Sequence, residues 1–150
     1  MLKDKRRWRL LRDSKKGKFC FLIGVDNWSI ELQKNEFHSL YLLLIKINKQ
    51  LFDIKNKLMD EESITLELEQ MPWYIELEGK KNEWSLRFVF ESQNQTRSFE
   101  MYWPIPVAQN LFYEIKNMWE SMELKINKIG NFAKYFPEPK KFFHNFSKTI

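Results

Sequence analysis

The chain predicts an α+β domain in which a curved antiparallel sheet of about seven strands carries two long helices packed on one face. Three observations lead there. Apolar residues alternate with polar ones in seven short runs, five of them marked by a tryptophan on the apolar parity, which is the period of a half-buried strand. Two longer segments instead repeat apolar residues at spacings of three and four, the period of an amphipathic helix. The order is three strands and a helix, then four strands and a helix. In each half a strand enters its helix with almost no linker, as in DNWSIELQKNEFHSLYLL at 26–43 and SFEMYWPIPVAQNLFYEI at 98–115.

The first strand lies in KRRWRLLR, residues 5–12, with Trp8 and Leu10 inward, and the second in FCFLIGV, residues 19–25. Cys20 falls between Phe19 and Phe21, where a small buried side chain is the natural role. Cys20 and Leu22 have the parity opposite Phe19, Phe21 and Ile23, so this strand is apolar on both faces and suits covering by a second subunit in a homo-oligomer. Trp28, Ile30 and Leu32 mark the third strand. From Asn35 to Met59 the residues Phe37, Leu40, Leu44, Ile47, Leu51, Ile54 and Leu58 make one stripe over about seven helical turns.

Four strands follow, marked by ITLELE at 64–69, by Trp73, Ile75 and Leu77, by Trp84, Leu86, Phe88 and Phe90, and by Phe99, Met101 and Trp103. A hairpin turn over Lys80 to Glu83 sets Leu77 opposite Leu86, Ile75 opposite Phe88, Trp73 opposite Phe90 and Glu76 opposite Arg87. A tight turn at Met71-Pro72 sets Leu68 opposite Ile75 and Glu67 opposite Glu76. The second helix starts within Pro104 to Pro106, aligns Val107, Leu111, Ile115, Met118, Met122 and Ile126, and ends near Gly130. One domain therefore spans residues 1–130. Residues 131–150 lose periodicity but keep Phe132, Tyr135, Phe136, Phe142, Phe143 and Phe146. This aromatic and basic C-terminal segment either folds back over apolar surface or docks on a partner through Phe142 and Phe143.

A chain of 150 residues buries roughly two thirds of the surface its unfolded form exposes. The single cysteine excludes an internal disulfide and suits a reducing compartment. The opening MLKDKRRWRLLRDSKKGK is charged throughout and lacks the apolar centre of a secretory signal, while the longest apolar run, LYLLLIKI, is too short to span a membrane. The expectation is a soluble cytoplasmic protein with no membrane role. Chemistry is sparse. His38 and His144 have no His, Cys or acid at ligand spacing, the four glycines form no phosphate-cradling loop, and Asp60, Glu61 and Glu62 lack the spacing of a calcium loop. No catalytic residue, metal or cofactor is expected, and the chain is not read as an enzyme.

Charge is divided along the chain. Residues 1–18 hold nine basic and two acidic side chains, whereas residues 61–103 hold four basic and nine acidic. Lys3, Lys5, Arg6, Arg12, Lys15, Lys16 and Lys18 are candidates for phosphate binding, with strong salt dependence and little sequence preference. In the second half Glu67, Glu69, Glu76 and Glu78 share the parity opposite the tryptophans, so the sheet turns carboxylates outward and repels phosphate there. Glu67 opposite Glu76 calls for a nearby cation. Arg7 and Arg9, opposite in parity to Trp8 and Leu10, are the candidates within the chain; otherwise the four glutamates are candidates for contact with a basic partner protein.

The opening MLK with WRL at 8–10, DNWSIEL at 26–32, LMDEE at 58–62, WYIELEG with WSLRF at 73–88, and YWPIPV at 102–107 together resemble a small family of uncharacterised cyanobacterial proteins. The match extends to about residue 115. This resemblance implies a Whirly-like fold, strands then a helix twice over, as in single-stranded-DNA-binding transcriptional regulators. It brings no established activity and no catalytic residues. Two expectations therefore stand together: a regulatory module that meets single-stranded nucleic acid through its basic N-terminal segment, or an assembly factor that meets a partner protein through the acidic sheet face and the aromatic tail.

Overall fold

The structure, a computed structural model, describes residues 2–5 and 7–135, with side chains from residue 7 to residue 129. Its elements in order are β1 (Leu2–Lys5), β2 (Trp8–Arg12), β3 (Phe21–Val25), β4 (Trp28–Leu32), α1 (Lys34–Lys55), β5 (Ile64–Gln70), β6 (Trp73–Lys80), β7 (Glu83–Glu91), β8 (Ser98–Trp103) and α2 (Val107–Tyr135), with a 3-10 turn at Ser14–Lys16 between β2 and β3. The expected α+β class and strands-helix-strands-helix order are present. The expected single curved sheet is not: β1 to β4 form one four-stranded antiparallel sheet and β5 to β8 another, each in chain order.

Two causes separate the sheets. Every pairing joins strands that are neighbours in sequence through a short connection, so each half closes as its own meander. Between β4 and β5 runs the 22-residue α1, roughly 33 Å of helix, which carries the chain away from the first sheet. The eighth strand is β1, formed by LKDK, where no alternation announces it. It runs antiparallel to β2 with Lys3 opposite Leu10 and Lys5 opposite Trp8.

The alternating residues form the core as their parity predicts. Trp8, Leu10, Phe21, Ile23, Val25 and Leu32 are buried in the first sheet, and Trp73, Ile75, Leu77, Trp84, Leu86, Phe88, Phe90, Met101 and Trp103 in the second. Trp28, Ile30, Leu66, Leu68 and Phe99 share the inward parity but are only half-buried. Cys20 also shifts: it lies one residue before β3, half-buried, with its carbonyl accepting the Asp13 N–H at 2.8 Å. The second sheet's core face is an aromatic cluster in which Trp73 lies 4.8 Å from Phe90, Phe90 stacks on Phe99 at 4.7 Å, and Phe88 lies 4.4 Å from Trp103.

Helix α1 buries Phe37, Leu40, Leu43, Leu44, Ile47 and Leu51 and leaves Phe52 exposed on its other side. Its first turns touch both sheets. The Phe37 ring stacks on Phe21 of β3 at 4.0 Å, and Trp73 Nε1 of β6 donates to the Glu36 carbonyl at 3.0 Å. Helix α2 begins after Pro106 as expected but passes through Gly130 to Tyr135; glycine costs only about 1 kcal/mol inside a helix and does not by itself end one. Ile126, assigned to the buried stripe, is exposed. The chain divides into two compact units, Met1–Lys116 and Asn117–Ile150. In the second, Trp119 Nε1 donates to Glu123 at 2.9 Å.

Candidate functional site on the outer face of the second sheet

The polar parity of β5 to β8 faces away from the aromatic core, and the hairpin registers place it in rows. Glu67, Glu76, Arg87 and Tyr102 stand opposite one another in turn, as do Glu69, Tyr74, Val89 and Glu100. Glu78 lies between Thr65 and Ser85, and Glu91 faces Ser98. These pairings are the ones the Met71-Pro72 and Lys80 to Glu83 turns predict, with Lys80 opposite Glu83 and Lys81-Asn82 at the tip. Seven carboxylates, Glu67, Glu69, Glu76, Glu78, Glu83, Glu91 and Glu100, thus share one face of four strands with one guanidinium, that of Arg87, and with Lys80 at the end of β6, which is ion-paired with Glu61.

Arg87 serves two of them. Its Nη1 donates to Glu100 Oε1 at 3.0 Å and its Nη2 stands 3.6 Å from Glu76 Oε2. Both pairs are open to water and contribute below about 1 kcal/mol each. The Tyr74 hydroxyl donates to Glu76 Oε2 at 3.3 Å. Burial first, and then the negative charge of Glu67 and Glu76, hold its phenol above the ordinary 10.0. Glu67, Glu69, Glu78 and Glu91 are exposed, and Tyr102 stands among them with 53% of its surface open. Such a surface attracts cations, offers two phenol rings for cation–π contact and repels phosphate.

Arg7 and Arg9 do not supply the counter-charge assigned to them. Both are spent inside the first sheet: Arg7 Nε lies 3.2 Å from Asp26 Oδ1, and Arg9 donates to the carbonyls of Asp26 at 3.1 Å and Trp28 at 2.9 Å. Gly24, opposite Arg9 in the register, makes this possible. A Cβ there would stand 2.7 Å from Arg9 Nε, so a larger residue would shift the guanidinium from its path across β3 to the β3–β4 turn.

The basic candidates are dispersed along the first sheet. Lys3 and Lys5 are in β1, Arg12 ends β2 half-buried, and Lys15, Lys16 and Lys18 are exposed on the turn before β3. Lys16 is ion-paired with Glu31 of β4. Arg6, Phe142 and Phe143 lie outside the described residues. Among those that are described, no three His, Cys, Asp or Glu side chains are grouped so as to hold a metal ion, and no helix is long and apolar enough to cross a membrane.

One constellation is absent from the sequence reading. Arg97, in the β7–β8 connection, donates through Nη1 to Glu36 Oε1 at 2.7 Å and through Nη2 to the Glu31 carbonyl at 2.6 Å. Its guanidinium lies 4.7 Å from the centroid of the Phe19 ring and 5.3 Å from that of Phe90. The other Glu36 oxygen accepts the Gln33 N–H at 2.9 Å. Gln33 and Glu36 have the three-residue spacing of a capping box, which was the available signal for the carboxylate; nothing local marks Arg97, 61 residues away.

Comparison with known proteins agrees with an uncharacterised family. A crystal structure of a protein with unknown function from the DUF155 family, from Prochlorococcus sp. NATL2A, is similar to the chain, with a TM-score of 0.73 and 36% identity over 79% of this chain and 98% of that one. No curated protein matches. The model of the family described as a domain of unknown function, DUF1818, matches residues 3–118, which takes in both sheets, α1 and the first turns of α2, and the chain belongs to that family.

Proposed function

We propose that the protein is a non-catalytic binding module that docks a lysine- or arginine-rich segment of a partner protein on the outer face of β5 to β8. One observation carries this reading: seven carboxylates share that face with a single guanidinium and with Lys80, itself paired with Glu61, and the two cations that would have neutralised it, Arg7 and Arg9, are engaged in the other sheet. Charge complementarity favours a cationic occupant, and the half-buried Tyr74 and exposed Tyr102 favour flat guanidinium groups. The test is fluorescence anisotropy with a labelled arginine-rich peptide against the wild type and against E67K and E78K. Saturable binding that both variants weaken and that salt weakens supports the proposal; equal binding by the variants removes it.

A second reading has its own support. The strands-helix-strands-helix order is the one a Whirly-like fold implies, and Lys15 and Lys18 are exposed on the β2–β3 turn. Single-stranded nucleic acid would then meet the first sheet's basic turn, away from the glutamates. A labelled oligonucleotide measured at roughly 50 and 200 mM salt separates the readings: binding at the lower concentration that K15Q and K18Q reduce, and E67K leaves unchanged, favours this one.

A further inference from the structure

At the end of the second sheet where Arg97 is held, the loop before β3, the first turns of α1, the β5–β6 turn and the β7–β8 connection surround a cleft of about 390 Å³. That is within the range of small-molecule sites. We propose that this cleft binds a small organic anion, a carboxylate or a phosphate ester, with one flat apolar face. The proposal is independent of the acidic sheet face.

The lining decides the chemistry. Among the described residues around the cleft Glu36 is the only carboxylate, and both its oxygens are already met, by Arg97 Nη1 and by the Gln33 N–H. A cationic ligand would find no free negative charge. Lys18, exposed at the rim, adds a positive charge beyond the neutralised Glu36–Arg97 pair. Asn35, Ser39 and Gln93 line the cleft with groups that both donate and accept hydrogen bonds. Apolar surface comes from the exposed Met71 and the half-buried Phe19 and Pro72, which suits a planar ring. Arg97, over the Phe19 and Phe90 rings and tied to Glu36 and the Glu31 carbonyl, is held in place in advance, so little ordering is required when a ligand enters.

Calorimetric titration with matched probes tests this. Benzoate and benzamidine present the same flat ring with opposite charge; adenosine monophosphate and adenosine differ by the phosphate, and inorganic phosphate lacks the ring. Saturable binding of benzoate, of adenosine monophosphate or of both supports the proposal and identifies a carboxylate, a phosphate ester or either as the accepted anion. K18Q is expected to weaken that binding about fivefold and N35A about tenfold, while K49Q, exposed on α1 outside the cleft, leaves it unchanged. Circular dichroism checks that the variants fold. Benzamidine or adenosine binding as tightly as its anionic counterpart, inorganic phosphate matching adenosine monophosphate, affinities unmoved by K18Q and N35A, or no saturable binding of any anion would each overturn it.

Discussion

Glu36 retains 7% of its surface in water, and a carboxylate that buried requires donors for both oxygens. Arg97 supplies one of them, and its own side chain is 29% exposed. R97A should therefore lower stability by about 2–3 kcal/mol, somewhat less than a fully buried pair, and urea unfolding should show E36Q recovering part of that loss in the double variant. R97K should recover little, because an ammonium cannot stack between two rings while donating to Glu36 and to the Glu31 carbonyl. Tyr74 gives a second test at this scale. Its phenol is held above 10.0 by burial and then by Glu67 and Glu76, so near-ultraviolet titration should find it later than an exposed tyrosine, and E67Q should bring it part of the way back. The neutral phenol is favoured in the folded state. Its contribution to stability is complete below 10.0 and is lost as pH rises through the higher folded value. The parity of Arg7 and Arg9 was legible in the sequence, but their partners were not, because Asp26 and the Trp28 carbonyl come within reach only through the β2–β3 pairing and the space left by Gly24.

Among elements, the hairpins of the second sheet were the most legible, since a turn of known length at an alternating run permits one register that keeps every apolar residue inward. That register fixes a liability, Glu67 directly opposite Glu76. E67K turns the pair into one of opposite charge and should raise stability by about 0.2–1 kcal/mol, measured as a higher urea midpoint with unchanged slope. A gain in folding together with a loss of peptide binding would mark Glu67 as kept for contact rather than for the sheet. The helix ends were less legible. Gln33 and Glu36 announce where α1 begins, whereas Gly130 suggested a stop for α2 that the helix does not make. β1 was missed because a strand of four residues, LKDK, can be held by its ladder to β2 with no apolar parity of its own.

For the whole molecule, alternation says which residues of a strand face inward but not which sheet the strand joins, and so the division into two sheets was not legible. Neither was the junction between them, since the Glu36–Arg97 pair joins residues 61 positions apart. Strand pairings here are all local in sequence, and local contacts form quickly. Each four-stranded meander can therefore assemble before the other is in place, leaving the docking of Trp73 and Arg97 on the first turns of α1 as the long-range step. If that docking follows the rate-limiting barrier, R97A should leave the refolding rate nearly unchanged and accelerate unfolding by most of its effect on stability, about thirtyfold for a loss of 2 kcal/mol; stopped-flow chevrons would show it in the unfolding arm. The contact of α1 with both sheets then acts as a latch on the lifetime of the native state, setting how long the two meanders remain together once they have met.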